Sequence, residues 1–132
     1  MQKLIITDMN KFTINGRLIG LNEYTKVNRS NPYLANKLKR EQEQLIYYNA
    51  MKCKLEKVRT YPIGLRIKWY EQNAKRDIDN IMFAVKFILD GLVKSGYIEN
   101  DSQKYVKSIE HIVGIDKEKP RVEVEIIENV YR

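Results

Sequence analysis

The chain has 132 residues, of which 43% are apolar; this is enough for a single domain spanning residues 1–132 and too little for a second full domain. Lysine and arginine number 24 against 17 aspartate and glutamate residues, and the resulting net charge of +7 favours a polyanionic partner, nucleic acid first. The single cysteine, Cys53, excludes an internal disulfide framework and a cysteine-rich zinc site, and it indicates a reducing compartment.

The first half of the chain predicts short strands followed by a long helix. Up to residue 29, apolar alternation at Phe12 and Ile14 is interrupted by turn formers, which predicts one or two strands and then an irregular loop. Asn31 is a predicted N-cap with Pro32 in the first helical position, and residues 33–58 lack Gly and Pro, which predicts one helix. Its expected buried stripe is Leu34, Leu38, Leu45, Tyr48 and Leu55. Its basic side chains are Lys37, Lys39, Arg40, Lys52 and Lys54. They allow two interpretations, a solvated surface or a surface that follows phosphates.

A strand and a second helix are predicted next. Residues 63–70 alternate apolar with basic residues, which indicates a strand with one buried face and with Arg66 and Lys68 on the other. Apolar residues at spacings of three and four predict a helix over residues 81–93, and Gly96 is placed to end it.

The last part of the chain predicts two more strands, over residues 106–115 and 121–127. A turn at residues 117–120 separates them, so we expect a hairpin. The order of strands and helices predicts an α+β fold, in which a small mixed β-sheet packs against a long helix and a second helix.

Two carboxylates, Asp77 and Asp79, lie where the strand or loop meets the second helix. In extended backbone they point to the same side, about 6 to 7 Å apart. Their mutual repulsion is unfavourable unless a hard divalent cation such as Mg²⁺ or Mn²⁺ binds there. The alternative is that one of them caps the helix and needs no metal. Asp101 follows the helix, and an antiparallel return of the chain could bring it towards this pair.

Lys86 follows Asp79 by seven residues, so in one continuous helix the two side chains share a face, about 10 Å apart along the axis. It could meet a phosphate held by the metal, or lie as a snorkelling lysine at the helix edge. Carboxylates with a nearby cation are the groups that phosphodiester hydrolysis requires, and the positive net charge indicates the substrate class.

The sequence gives little support for nucleophilic catalysis, a nucleotide cofactor or membrane attachment. His111, the only histidine, fits a structural or exposed position better than a general base, and no Ser-His-Asp or Cys-His set can be assembled around it. The glycine-rich phosphate-binding motifs are missing, which argues against a nucleotide cofactor. No apolar stretch approaches the roughly 20 residues that cross a bilayer, and the N-terminus lacks a signal-peptide pattern, so the sequence predicts a cytoplasmic protein without membrane attachment.

The segment from residue 62 to residue 103 resembles a known family. It contains Arg76-Asp77-Ile78-Asp79-Asn80, then Leu89-Asp90-Gly91-Leu92, then Asp101-Ser-Gln103. These motifs resemble those of the RusA-type Holliday junction resolvases, small endonucleases common in prophages. A thinner resemblance runs from Phe12 to Glu128 and includes Asn22-Glu-Tyr24 and Val122-Glu-Val-Glu.

The resemblance implies a RusA-like fold, an intertwined or isologous homodimer, and an endodeoxyribonuclease that resolves four-way junctions by paired, Mg²⁺-dependent hydrolysis in DNA recombination and repair, with Mn²⁺ as a substitute. It implies Asp77, Asp79 and Asp101 as metal ligands and catalytic residues. Lys86 is the best match to the family's catalytic lysine, although the spacing is about one helical turn longer than in the shorter family variant. Candidate DNA contacts are Arg76, Lys75, Arg66, Lys68 and Lys104.

Two alternatives remain open at this point. The chain could be a non-catalytic basic DNA-binding protein in which the acidic pair only caps a helix, or a metal-dependent nuclease that acts more broadly on flaps, forks or single strands. In each case binding should depend mainly on phosphate contacts and therefore weaken steeply with salt.

Overall fold

The computed structural model describes residues 10–128, which form four strands and four helices. In chain order the elements are β1 (Asn10–Asn15), α1 (Leu21–Ser30), α2 (Pro32–Lys52), β2 (Ile63–Glu71), α3 (Ile78–Met82), α4 (Val85–Lys94), β3 (Val106–Ile115) and β4 (Arg121–Glu128). The predicted α+β class with a mixed sheet is confirmed. Any further strand predicted before Asn10 lies outside the described residues. Within them, no helix is both long and apolar enough to cross a membrane.

The four strands form one sheet in the order β1-β4-β2-β3. β4 is antiparallel to both of its neighbours, whereas β3 runs parallel to β2, with Ile67 opposite His111. The predicted hairpin of β3 and β4 is therefore wrong, because β2 lies between them. The connection passes the end of β2, where the Asp116 N–H donates to the Glu71 carbonyl oxygen at 2.8 Å. Alternation in β4 indicates which face is buried, but it does not indicate which strand lies alongside.

One face of the sheet and the inward sides of the helices form a single apolar cluster. Its largest fully buried members include Trp69, Phe87, Ile14, Leu18, Ile46, Leu65, Ile67 and Leu92. Burying one such side chain contributes about 1.5 to 3 kcal/mol, so this cluster is the main source of the stability of the fold. The edge strand β3 is less covered, and its Ile112, Val113 and Ile115 remain exposed.

The long helix α2 begins as predicted and ends earlier. Asn31 is its N-cap, and its Oδ1 accepts from the Leu34 N–H at 3.1 Å. The helix stops at Lys52 instead of continuing to residue 58, because Lys54 adopts a left-handed φ of 59°.

The predicted buried stripe of α2 is also wrong in part. Leu34 and Tyr48 are exposed, Leu38 and Leu45 are half-buried, and Leu55 is buried beyond the end of the helix. The buried helical positions are Ala35, Glu43, Ile46, Asn49 and Ala50. Large apolar residues occur on several faces of this helix, so periodicity did not single out the one that packs.

Residues predicted as a loop form the ten-residue helix α1. None of its side chains is fully buried, and its apolar stripe is short, consisting of the half-buried Leu21, Tyr24 and Val27. It is attached through Tyr24, whose ring lies 5.5 Å from that of Phe83 and 5.7 Å from that of Phe87, measured between centroids.

The helix predicted over residues 81–93 begins earlier, at Ile78, and is interrupted at residues 83 and 84, which divides it into α3 and α4. Its end is as predicted. Gly96 has a φ of +82°, its N–H donates to the Val93 carbonyl at 3.1 Å, and the Tyr97 N–H donates to the Leu92 carbonyl at 2.9 Å.

Candidate active site

Arg76, the first residue of the Arg-Asp-x-Asp-Asn motif, is held by the last residue of β2. Its Nε donates to Glu71 Oε1 at 2.9 Å and its Nη2 donates to Glu71 Oε2 at 2.7 Å. Its Nη1 donates to the Leu18 carbonyl at 3.2 Å. The side chains of Arg76 and Glu71 are only 14% and 6% exposed. The guanidinium therefore acts as an internal fork between β2 and the segment before α1, and most of its donors are not directed towards a DNA phosphate.

Asn80, the last residue of the motif, is fixed to the start of α1. Its Oδ1 accepts from the Asn22 N–H at 2.9 Å. A Cβ added at Gly20 would lie 2.6 Å from Asn80 Oδ1 and 2.8 Å from Arg76 Nη1, so only glycine allows this approach. Arg76 and Asn80 together lock the loop after β2 and the start of α3 onto the N-terminal end of α1.

Asp77 and Asp79 lie between these two anchors and are both exposed. Asp77 occupies the N-cap position of α3, with φ −68° and ψ 156°, but its side chain makes no capping hydrogen bond. In the part of the chain described, neither carboxylate takes part in a hydrogen bond or an ion pair. Helix capping by the side chain of Asp77 is thus not observed, and the oxygens of both carboxylates remain available to a cation.

Asp101 lies near the opposite end of the sheet. It precedes β3, whose first residue Val106 pairs with Ile63 at the start of β2, and the Ser102 carbonyl accepts from the Val106 N–H at 2.9 Å. Asp77 instead stays near Glu71, at the end of β2. The nine residues of β2 span roughly 25 Å at about 3.3 Å per residue, so one chain does not bring Asp101 to the acidic pair. Consistently, residues 10–128 contain no group of three His, Cys, Asp or Glu side chains that could hold a metal ion.

Lys86 is in the first turn of α4 and its side chain is 55% exposed. Its Nζ lies 3.7 Å from Asp90 Oδ2, and the same oxygen lies 3.5 Å from Lys39 Nζ. Because the helix is interrupted at residues 83 and 84, the seven-residue spacing from Asp79 no longer fixes a shared face. The ion-pair partner of Lys86 is therefore Asp90, and neither Asp77 nor Asp79 is paired with it.

The remaining candidate DNA contacts are dispersed over the molecule. Arg66 pairs with Glu110 at 2.8 Å and with Glu125 at 3.6 Å, and the bond to Glu110 raises its pKa. Lys68 is half-buried on the same strand, Lys75 is exposed beside the acidic pair, and Lys104 follows Asp101 with its Nζ 5.8 Å from the Tyr105 ring centroid. Of the basic residues that the sequence placed on the long helix, Lys39 is ion-paired, Lys37, Arg40 and Lys52 are exposed, and Lys54 is exposed beyond the helix end.

His111 has the structural role that the sequence favoured. The Trp69 Nε1–H donates to its Nδ1 at 3.0 Å, and the two rings are stacked. Burial lowers the pKa of His111, which maintains the neutral form that accepts this bond. No acidic or nucleophilic partner accompanies it among these contacts, so it is not placed as a general base.

Sequence reasoning missed Glu71, Gly20 and the contact to Asn22. A carboxylate on the inward-facing side of an alternating strand is a usable signal for Glu71, because such a residue needs a buried partner. Gly20 carries no comparable signal, since its role depends on a neighbour 60 residues away in the chain.

A family model described as endodeoxyribonuclease RusA matches residues 21–127. This range includes α1, the motif of residues 76–80, and Asp101. The chain belongs to the RusA endodeoxyribonuclease family. RusA endodeoxyribonucleases are hydrolases that act on branched DNA as Holliday junction resolvases. The motif of residues 76–80 therefore lies within a match to a nuclease family. A search of curated proteins finds no significant match.

Proposed function

We propose that this RusA-family chain is an Mg²⁺-dependent endodeoxyribonuclease that resolves four-way junctions by paired hydrolysis in DNA recombination and repair. The observation that carries the proposal is the arrangement of residues 76–80: Arg76 and Asn80 are bonded inward, while Asp77 and Asp79 are exposed and have no partner among residues 10–128. In a chain of net charge +7, two bare carboxylates on a surface that meets DNA are unfavourable unless a cation accompanies them.

Mg²⁺ fits the donors of the acidic pair. Carboxylate oxygens are the hard ligands that this ion prefers, and Mn²⁺ accepts the same set. When bound, the ion would activate water and offset the negative charge that develops on the scissile phosphate. The role of the chain is then to keep Asp77 and Asp79 outward and fixed, which the bonds of Arg76 and Asn80 support.

In a homodimer, Asp101 of one subunit could join Asp77 and Asp79 of the other subunit in one site. β3 is an edge strand, and within the described chain its outer edge pairs with no other strand. Antiparallel pairing of β3 with its copy about a twofold axis would place the start of one β3 beside the end of the other. Asp101 of one subunit would then approach the end of β2 of the other, where the acidic pair lies. The exposed Ile112, Val113 and Ile115 would gain cover.

Lys86 is proposed as the catalytic lysine on the weaker ground of its match to the family pattern. Its exposure allows its ammonium group to reach a bound phosphate, and Asp90 limits the directions in which the side chain can extend. Lys75, exposed and next to the acidic pair, is the most direct of the remaining candidates for a phosphate contact.

Incubation of a labelled four-way junction with the protein, with and without Mg²⁺, tests the proposal. We expect symmetric paired cuts only with the metal, and far less cutting of linear duplex. Binding without any cut would favour the non-catalytic alternative, and equal cutting of flaps, forks and single strands would favour the broader nuclease.

A further inference from the structure

The outward face of α1, close to the acidic pair, carries basic and polar side chains. Tyr24 attaches the helix to Phe83 and Phe87, and on the opposite side Asn22, Lys26 and Arg29 are exposed. Along that side runs a surface groove of about 680 Å³, lined by Leu21, Asn22, Thr25, Lys26, Arg29 and Ser30. The lining contains two cations and no carboxylate, although Glu23 lies on the same helix.

The charges of Lys26 and Arg29 are not neutralised by the contacts of residues 10–128. Two other cations near the motif differ in this respect: Arg76 is paired with Glu71, and Lys86 with Asp90. Lys26 and Arg29 are also exposed. A stripe of polar and basic side chains without counter-charges is complementary to a polyanion.

One end of the groove is bonded to the motif that contains the acidic pair. The Asn22 N–H bonds to Oδ1 of Asn80, which directly follows Asp79 in the chain. From Asn22 to Arg29 the helix rises about 10 Å, comparable with the axial rise of about three nucleotides in one DNA strand. A strand with one phosphate at the acidic pair could therefore continue along this face.

We propose that the outward face of α1, through Asn22, Thr25, Lys26 and Arg29, binds the phosphates of the DNA strand that crosses the acidic pair. Lysine and arginine neutralise phosphates, and asparagine and threonine side chains donate hydrogen bonds to them, so this surface positions the strand without reading its sequence. The inference rests on the proposed nuclease function and adds a surface that none of the candidate DNA contacts from the sequence includes.

The double variant K26Q/R29Q tests this surface. Its matched control is K52Q/K54Q, which also removes two positive charges from exposed side chains. These lysines flank Cys53 at the end of α2, where the Cys53 Sγ contacts the Thr13 carbonyl of β1. Binding to a four-way junction is measured without Mg²⁺ over a range of salt concentrations. We expect K26Q/R29Q to bind about ten-fold more weakly and to lower the slope of log K against log salt by about 2, with little change in the control.

Three outcomes decide the proposal. The expected loss, confined to K26Q/R29Q in a variant with an unchanged circular dichroism spectrum, supports it. Wild-type affinity in K26Q/R29Q, or an equal loss in K52Q/K54Q, overturns it even if the wild-type protein cuts junctions. Failure of the wild-type protein to bind and cut junctions instead overturns the proposed function and this inference with it.

Discussion

The guanidinium of Arg76 is held by the carboxylate of Glu71 through two hydrogen bonds, of 2.9 and 2.7 Å, directly before the exposed Asp77. A buried ion pair at the end of β2 thus determines where the acidic pair stands. The residues of the motif have two different roles. Arg76 and Asn80 are hydrogen-bonded to the rest of the fold, whereas Asp77 and Asp79 face solvent.

Glu71→Gln should lower the free energy of unfolding by about 3 kcal/mol, because it leaves the charge of Arg76 poorly compensated in a largely buried position. Urea unfolding followed by tryptophan fluorescence measures the change. Glu110→Gln is the control, since it removes a carboxylate from the exposed pair with Arg66 and should change stability little. Equal losses in the two variants would contradict the role assigned to Glu71.

Gly20→Ala should destabilise the protein by about 1 to 3 kcal/mol and reduce junction cutting, because the added methyl group clashes with Asn80 and Arg76. Gly114→Ala is the matched control: there the new Cβ lies 3.5 Å from the nearest Tyr70 atoms, an ordinary contact. Melting temperature and cleavage rate are compared for both variants. Wild-type behaviour of Gly20→Ala would show that the lock between α1 and the motif is not needed.

The stability of the protein should fall as pH decreases below about 6.5. Burial lowers the pKa of His111 in the folded state, so between the two pKa values the unfolded chain binds more protons than the folded one. Stability is therefore fully present above the unfolded pKa and is lost as pH falls towards the folded pKa. Melting temperatures from about pH 8 to about pH 5 measure this dependence.

His111→Gln supplies the control for that measurement, because a glutamine oxygen can still accept the hydrogen bond from Trp69 but does not titrate. We expect its melting temperature to be flatter over the same range. The carboxyl pKa of Asp116 is lowered by its bond to Arg121, so its contribution is lost at more acidic pH and does not overlap. An unchanged slope in His111→Gln would exclude His111 as the titrating group.

Mixing two inactive variants tests the proposed dimer. If Asp101 completes the site of the other subunit, a heterodimer of Asp79→Asn and Asp101→Asn contains one intact site and one site with both changes. Subunits exchanged by mixing should then nick one strand of a junction, whereas each variant alone should be inactive. Persistent inactivity in a mixture with proven subunit exchange would contradict a shared site.

The sequence predicted local features of the fold better than its connections. The bounds of β3 are as expected and those of β2 and β4 differ by one residue, because alternation over eight to ten residues is a strong local signal. The exposed position of Asp77 and Asp79 after a strand could also be anticipated. By contrast, the separation of Asp101 from this pair depends on β3 running parallel to β2, and strand order is set by packing of the whole sheet. The helix α1 was missed because its apolar stripe, Leu21, Tyr24 and Val27, is short and only half-buried.

The most direct test of the account is cleavage of a labelled four-way junction by wild-type protein and by Asp79→Asn, each with and without Mg²⁺, with Glu41→Gln as a control for removal of an exposed acidic charge. We expect Mg²⁺-dependent cutting by the wild type and the control, and a loss of about 100-fold or more in Asp79→Asn. Junction binding by Asp79→Asn should persist or tighten, because a negative charge has left a phosphate-facing surface. Wild-type cutting by Asp79→Asn with Mg²⁺, or cutting by the wild type that is indifferent to the metal, would contradict the central claim.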